Sequence, residues 1–538
     1  MRVLSGWRLL LLVCLAFPTL ASDTPINHFN GRLYLEVENA ELQVTVLRDW
    51  EGLADRPELR YDELPPFDFE YIQHGDALIP RQRGPIAADH LQWEYLLAPG
   101  RVWQEPGDDG YSRASLPFSL MERNANCVHN GVLGFLFKTD GAISDVTVSV
   151  ASETCMYFKL DMRGKIPARY IPGSVAGRQD LANSYDRKLK VRLPTLPIEA
   201  LAEKYPAADL AALANTGKVD PADMTVFGIV VDGVHYMGGC ETRNGKYPFC
   251  EQLYLPSYST AKSLFAGLGL MRLEKLYPGV SNAQVSDYVP ECSGKQWQGV
   301  RFIDLLDMSS GNYDSAVPDK DETDPRMAPG FFYPETHAGK IAFSCNAYPG
   351  KSAPGTRWVY HTTDTYILSV AMSEYLRQRA GERADIWQDL ILPMWEPLQL
   401  SPVTRFTRRT YDERAQPWAG YGLVYQPDDI ARLAVALGEG YFDRWVDRTM
   451  LDQALQRTSA PNGQPARAQT YYSHGFYAID LGEALNCEAP YWVPMMSGYG
   501  GISVAVLPGG MTYYYFSDGN VHQWVRPLRA LHQITPLC

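Results

Sequence analysis

Ser259 and Lys262 stand three residues apart in the segment Pro256-Ser257-Tyr258-Ser259-Thr260-Ala261-Lys262-Ser263-Leu264-Phe265. Three residues is nearly one helical turn, which puts both side chains on one face with Cβ atoms about 5–6 Å apart. The run continues to Tyr277 before Pro278-Gly279 stops it, and it is apolar on nearly every side through Leu264, Phe265, Ala266, Leu268, Leu270 and Met271. A helix that is apolar all round belongs in a core. A lysine there is costly to keep charged, so its pKa is expected to fall and its neutral amine to become available as a base. A serine hydroxyl is a weak nucleophile until such a base takes its proton. Ser-Lys is one of the known variants of the activated-serine arrangement, and its chemistry is acyl transfer. Alone, Ser-x-x-Lys is short enough to arise by chance, so its weight depends on the rest of the chain.

The chain has 538 residues, room for two or more domains. Residues 1–21 have the layout of a secretory signal: Arg2 and Arg8, then an apolar middle, then the small-residue exit Thr19-Leu20-Ala21. The apolar part is too short to span a bilayer comfortably. Val13 before Cys14 fits a lipoprotein signal poorly. No later stretch approaches a transmembrane length, so the mature protein is expected to be soluble, in the periplasm or secreted. The net charge is −13, and two units more negative without Arg2 and Arg8. That argues against nucleic acid, whose phosphates need a basic surface. Eight cysteines remain after Cys14, an even number that suggests disulfides in an exported protein. Pairing neighbours along the chain gives Cys127–Cys155, Cys240–Cys250, Cys292–Cys345 and Cys487–Cys538. No pair has the close Cys-x-x-Cys spacing of a zinc knuckle.

Residues 22–163 read mainly as strands. Leu33, Leu35 and Val37 alternate with polar neighbours, as do Leu42, Val44 and Val46. Val132–Phe137 leads through Thr139-Asp140-Gly141 to Val146, Val148 and Val150, a hairpin signature. A β-sandwich accessory domain is expected. His74, His90 and His129 are scattered and read as hydrogen-bonded or surface histidines. Residues 164–221, punctuated by Pro167, Pro172, Pro194 and Pro197, read as a connection with short helical pieces at 198–204 and 207–214. From 222 to 538 the pattern changes. Val226–Val231, Asp232-Gly233 and Val234–Met237 predict a hairpin with a two-residue turn. The Ser259 helix follows, then helices and turns, then closing strands near 474–479, 502–507 and 512–516. The fold class is α+β: an antiparallel sheet covered by helices.

This second half resembles the serine β-lactamase and penicillin-binding-protein superfamily, in its class C-like and esterase-like branch. The residues that carry the resemblance are Ser259-Thr260-Ala261-Lys262 and Leu305-Leu306-Asp307-Met308-Ser309-Ser310-Gly311. Pro354-Gly355-Thr356 with Trp358 and Tyr360, and Gly422-Leu423 with Pro427, Asp429, Ile430 and Ala431, extend it in the family's order. The resemblance implies that Ser259 forms an acyl-enzyme, that Lys262 is the base or its partner, and that Tyr360 shares the proton and passes it to the leaving group. A tyrosine beside a lysine cation is expected to have a lowered pKa.

Two positions depart from the family pattern. Its Tyr-x-Asn reads Tyr360-His361-Thr362, so a threonine hydroxyl stands where an amide usually contacts substrate. Its Lys-Thr-Gly or His-x-Gly is absent as such, and Gly498-Tyr499-Gly500 is the nearest equivalent. An oxyanion hole from the Ser259 N–H and a main-chain N–H near Gly501 is expected, with Tyr499 and Gly500 beside it. The missing cation normally helps hold a substrate carboxylate. Its loss favours a small-molecule or oligomeric ester or amide substrate, as in members that resemble 6-aminohexanoate-oligomer hydrolases. His361 or Arg357 could replace the charge, and His474 could approach the site; all three read more readily as structural. The chemistry needs no metal or cofactor. Alternatives are a D,D-peptidase or β-lactamase, and a non-catalytic protein that holds a peptide or cell-wall fragment in the same cleft.

Overall fold

The computed structural model describes residues 24–538 apart from 38–43, 57 and 459. The expected signal segment and Leu42 lie outside the described residues. From Asn30–Leu35 to Ala168–Pro172, eleven strands form one antiparallel sheet. A sandwich of two sheets was expected here; the structure has one sheet curled over its own core. Phe29 stacks on Tyr170 at 3.9 Å and meets Phe137 at 5.2 Å, although Phe137 belongs to a strand five places along the sheet from Asn30–Leu35. The sheet also runs past the expected boundary at 163, which falls inside the strand Leu160–Ile166. Pro172 misled the reading because it sits on the edge strand, where a missing N–H is tolerated. His74 bonds to Asp186, His90 accepts from Gln92 and Trp93, and His129 meets the Phe158 carbonyl, so each is hydrogen-bonded.

A fourteen-residue helix, Arg178–Val191, fills the connection, followed by the short helices Glu199–Lys204 and Leu210–Leu213. The second sheet has nine strands in the order Thr195–Pro197, Val234–Gly239, Met224–Val231, Thr512–Ser517, Ile502–Val506, Trp492–Gly498, Phe476–Asp480, Thr470–Ser473 and Gln464–Arg467. All pairs are antiparallel except the first, which is parallel. Asp232 and Gly233 both have positive φ, 50° and 72°, the turn that matches strand twist in a two-residue hairpin. Met224–Val231 is buried along its whole length because both faces are covered. Val226 and Val230 join the core formed with the Ser259 helix and the helices Thr362–Ala380 and Pro427–Gly438. Phe227, Ile229 and Val231 face the other way, onto Leu528 and Leu531 of the helix Val525–Ile534. This is the helix-covered antiparallel sheet that the pattern predicts.

All four neighbour pairs of cysteines are disulfides, with Cα–Cα distances of 5.1, 5.7, 4.9 and 5.9 Å, within the usual range. The N-terminal sheet meets the rest of the chain along a buried polar seam. Arg243 bridges Glu153 and Asp161, both 1% exposed at the side chain. Arg408 reaches Glu94 at 2.6 Å, and Thr154 meets Thr225 at 2.9 Å. A buried ion pair adds little net stability when whole, but removing one partner strands a charge. Among the described residues no helix is long and apolar enough to cross a membrane.

Candidate active site

Ser259 sits in a 3-10 turn, Tyr258–Thr260, that leads into a π turn, Lys262–Gly267, and then the α-helix Leu268–Leu276. Single π turns inside helices recur at functional sites. Here the chain at His474-Gly475 presses against it: a Cβ on Gly475 would lie 2.5 Å from the Lys262 carbonyl oxygen. The three-residue spacing does what it predicts. Lys262 is 1% exposed, and its Nζ lies 3.0 Å from Ser259 Oγ, 3.0 Å from Thr362 Oγ1 and 3.0 Å from the Gly420 carbonyl oxygen. Burial brings its pKa down to about 8, against a smaller opposing pull from Glu322.

The proton directions follow from the partners. The Thr362 hydroxyl donates to the Glu322 carboxylate, which also accepts the Thr362 N–H at 2.8 Å. With its proton on Glu322, Thr362 Oγ1 can only accept from Lys262. Gly420 oxygen is an acceptor by nature. A neutral amine has two N–H donors and one lone pair; with both donors taken, the lone pair is left for the Ser259 hydroxyl proton. Glu322 is the residue that sequence reading missed. It lies in an acidic loop, Asp319-Lys320-Asp321-Glu322, with no periodicity to single it out.

Tyr360 is 8% exposed, its ring 5.0 Å from Lys262 Nζ, and its hydroxyl lies on the Ser259 side of the site, close enough for Ser259 to act on its pKa. Its expected low pKa is corrected. Burial pushes the phenol well above its ordinary value, the neighbouring Tyr477 and Glu322 add to this, and the Ser259 contact offsets only part of it. The lysine beside it is itself driven toward neutrality and supplies no cation strong enough to reverse that order. Tyr360 is a neutral proton donor at ordinary pH.

The glycine turn divides into two parts. Gly498 ends the strand Trp492–Gly498, and a Cβ there would lie 3.1 Å from the Ser257 carbonyl oxygen, against the nucleophile turn. Gly500 and Gly501, with φ of 85° and 101°, face the end of Thr512–Ser517 instead. The Ser517 hydroxyl donates to the Gly501 carbonyl at 2.9 Å, and a Cβ on Gly501 would lie 2.5 Å from Ser517 Oγ. Tyr499, 42% exposed, stands between, its ring 5.7 Å from that of Tyr258. Of the three turn residues expected at the site, Tyr499 is beside the nucleophile turn, and Gly500 and Gly501 brace the hairpin.

His361 is not free to hold a substrate. It is 1% exposed, 3.1 Å from Asp321 and 3.8 Å from Asp364. Burial opposes its charge, but those two carboxylates outweigh it and lift the pKa to about 9. Arg357 is exposed. His474 is held by Asp307 at 3.0 Å and Gln453 at 2.9 Å. Among the described residues no group of three or more His, Cys, Asp or Glu side chains is placed to hold a metal ion.

A serine and a buried lysine in one turn, set between an antiparallel sheet and its helices, define the serine β-lactamase and penicillin-binding-protein-like class. Residues 225–520, more than half of the chain, match the family model described as Beta-lactamase, and the chain belongs to that family. Membership supports a serine hydrolase. Two solved structures are similar at low identity. One is a candidate 6-aminohexanoate-dimer hydrolase from Bacillus anthracis, 14% identical over 58% of this chain and 78% of that one, TM-score 0.41. The other is a penicillin-binding-protein homologue from Caulobacter crescentus, 16% identical over 61% of this chain and 96% of that one, TM-score 0.43. No curated protein matches the chain.

Proposed function

We propose that this chain is an exported serine hydrolase that cleaves an ester or amide bond through an acyl-enzyme on Ser259. The observation that carries this reading is the geometry of Lys262, whose Nζ has three partners at 3.0 Å, two of which can only accept, so that once the amine is neutral its lone pair is left for Ser259 Oγ. Lys262 takes the hydroxyl proton as Ser259 attacks the carbonyl carbon. The carbonyl oxygen becomes an oxyanion held by two main-chain N–H groups, those of Ser259 and Tyr499. The Ser259 N–H lies in a helical first turn, where no intrahelical acceptor is available. Tyr499 is taken as the second donor, two residues before the expected Gly501, because Gly498 beside it packs on the nucleophile turn at Ser257. Tyr360, a neutral phenol beside Lys262, donates to the leaving group and regains the proton from Lys262. Water then repeats the sequence on the acyl-enzyme. Thr362 and Glu322 orient the lysine rather than contact the reacting bond. The four disulfides suit a chain that matures outside the cytoplasm.

The strand end Met496-Ser497-Gly498 offers no cation where the family holds a carboxylate. That favours neutral esters and amides over β-lactams and D-alanyl peptides. The test is intact mass after a fluorophosphonate and, separately, after penicillin, beside Ser259→Ala. A fluorophosphonate adduct absent from the variant, with no penicillin adduct, is the expected result. A stable penicillin adduct at Ser259 would turn the reading to a D,D-peptidase or β-lactamase. No adduct from either reagent on folded protein would leave a binding protein as the better reading.

A further inference from the structure

The curled N-terminal sheet reaches the nucleophile turn through one side chain. Asn126 lies in the turn between the strands Ser112–Glu122 and Val128–Phe137 and is 2% exposed. Its Oδ1 accepts from the Tyr258 N–H at 2.7 Å, the Ser257 hydroxyl at 3.2 Å and the Gly422 N–H at 3.2 Å. Its Nδ2 donates to the Leu423 carbonyl at 3.2 Å. These partners belong to the two segments that build the site: the turn ahead of Ser259, and the loop whose Gly420 oxygen holds Lys262.

Tyr258 adopts a φ of 39°. That is the left-handed region, disfavoured for a bulky side chain, and such residues persist only where their surroundings hold them. The residue in question immediately precedes Ser259, and the acceptor for its N–H is Asn126. Asn126 is itself fixed. Its neighbour Cys127 is tied to Cys155 by a disulfide, and the Tyr258 hydroxyl reaches Cys127 Sγ at 3.5 Å.

We propose that Asn126 is a positioning residue for acyl transfer: it holds Tyr258 in its left-handed conformation and so sets Ser259 Oγ against Lys262, which makes the β-rich region part of the catalytic unit rather than a detachable docking module. The proposal rests on the Ser259 reading above. Asn130 provides an internal control. It is 1% exposed and ties the same two regions together, accepting the Tyr254 N–H at 2.9 Å and donating to the Tyr254 carbonyl at 3.1 Å. It does not touch the nucleophile turn.

The experiment uses the full protein and follows fluorophosphonate labelling by mass over a range of reagent concentrations. This separates the limiting rate from the half-saturating concentration; thermal unfolding is measured alongside. Asn126→Ala is expected to lose about 100-fold in limiting rate, the size of a misplacement of about 1 Å, with half-saturation within about threefold. Asn126→Asp, which keeps an acceptor for the Tyr258 N–H, is expected to recover at least about tenfold of that loss, and it decides the matter should the alanine variant not fold. Asn130→Ala is expected to lower the melting temperature comparably and keep the limiting rate within about threefold. Equal rate losses in Asn126→Ala and Asn130→Ala, a wild-type rate in Asn126→Ala, or an Asp variant as slow as the alanine would overturn the proposal. A wild type that takes no label at Ser259 overturns the nucleophile reading and this proposal with it; a labelled wild type with those variant results overturns this proposal alone.

Discussion

Two buried lysines lie on either side of the loop Trp418–Tyr421, and only one of them faces a serine. Lys340 is 0% exposed, and burial brings its pKa down to about 7, against an opposing pull from Glu335. Lys262 is 1% exposed, with a pKa of about 8. By burial and pKa alone, Lys340 would be the better base at neutral pH. Its partners exclude it. They are the Phe331 carbonyl at 2.9 Å, the Phe332 carbonyl at 3.4 Å and the Tyr421 hydroxyl at 3.4 Å, with the Trp418 ring centroid 4.6 Å away. Two carbonyls offer no proton, and the phenol is pushed well above its ordinary pKa by burial. Lys262 has two groups that can only accept and one hydroxyl, that of Ser259, whose proton is released as its oxygen bonds to a carbonyl carbon. A perturbed pKa marks a candidate; the set of partners decides whether the group has anything to do.

The largest expected effect breaks the comparison outright. Ser259→Ala and Lys262→Met should each lower ester hydrolysis and fluorophosphonate labelling by about 1,000-fold or more. Lys340→Met should leave both within about threefold, because it holds no reacting group. Initial rates on an activated ester panel check this, with circular dichroism to show that each variant folds. If Lys340→Met matched Lys262→Met, the distinction drawn between the two lysines would be wrong.

A smaller effect sharpens the comparison. Thr362→Val and Glu322→Gln should cost about 10- to 100-fold, since they free the lysine donors from their fixed acceptors. They should also differ from each other. Glu322 raises the Lys262 pKa, so Glu322→Gln should move the labelling midpoint below about 8. A midpoint that moved up would contradict the role given to Glu322.

The smallest effect is on stability. Lys262 has a folded pKa of about 8 against an ordinary 10.5, so the unfolded chain binds more protons than the folded one between those values. Its burial is therefore a full burden below pH 8 and is relieved as the pH rises toward 10.5, by about 3 kcal/mol in all. Wild type should gain stability relative to Lys262→Met over that window, read from urea midpoints at pH 7, 9 and 10. A constant difference would mean that the lysine is not perturbed.

What the sequence disclosed follows from range. Ser259 and Lys262 are readable because helical spacing is local, and the Asp232-Gly233 hairpin because the turn needs two positive φ values. The disulfides are readable because each cysteine pairs with its neighbour along the chain. Glu322 was hidden because forty residues of chain separate it from Thr362, its partner. Asn126 had no signal beyond its place beside Cys127. The glycine turn was hard to read because three glycines share it, and only the packing on Ser257 and Ser517 tells Gly498 from Gly501. The Tyr360 pKa ran opposite to expectation because burial, a property of the whole fold, dominates it, and Lys262 loses its own charge near pH 8, below the range where a phenol ionises.

The central claim is that a neutral Lys262 activates Ser259. The most direct measurement is the second-order rate of fluorophosphonate labelling at Ser259 from pH 5 to 10, in wild type and in Lys340→Met. The account predicts one rise centred near pH 8, set by Lys262, with no fall on the alkaline side because Tyr360 stays protonated. The profile should be the same in Lys340→Met. A flat profile, or a rise that moves when Lys340 is replaced, would contradict it.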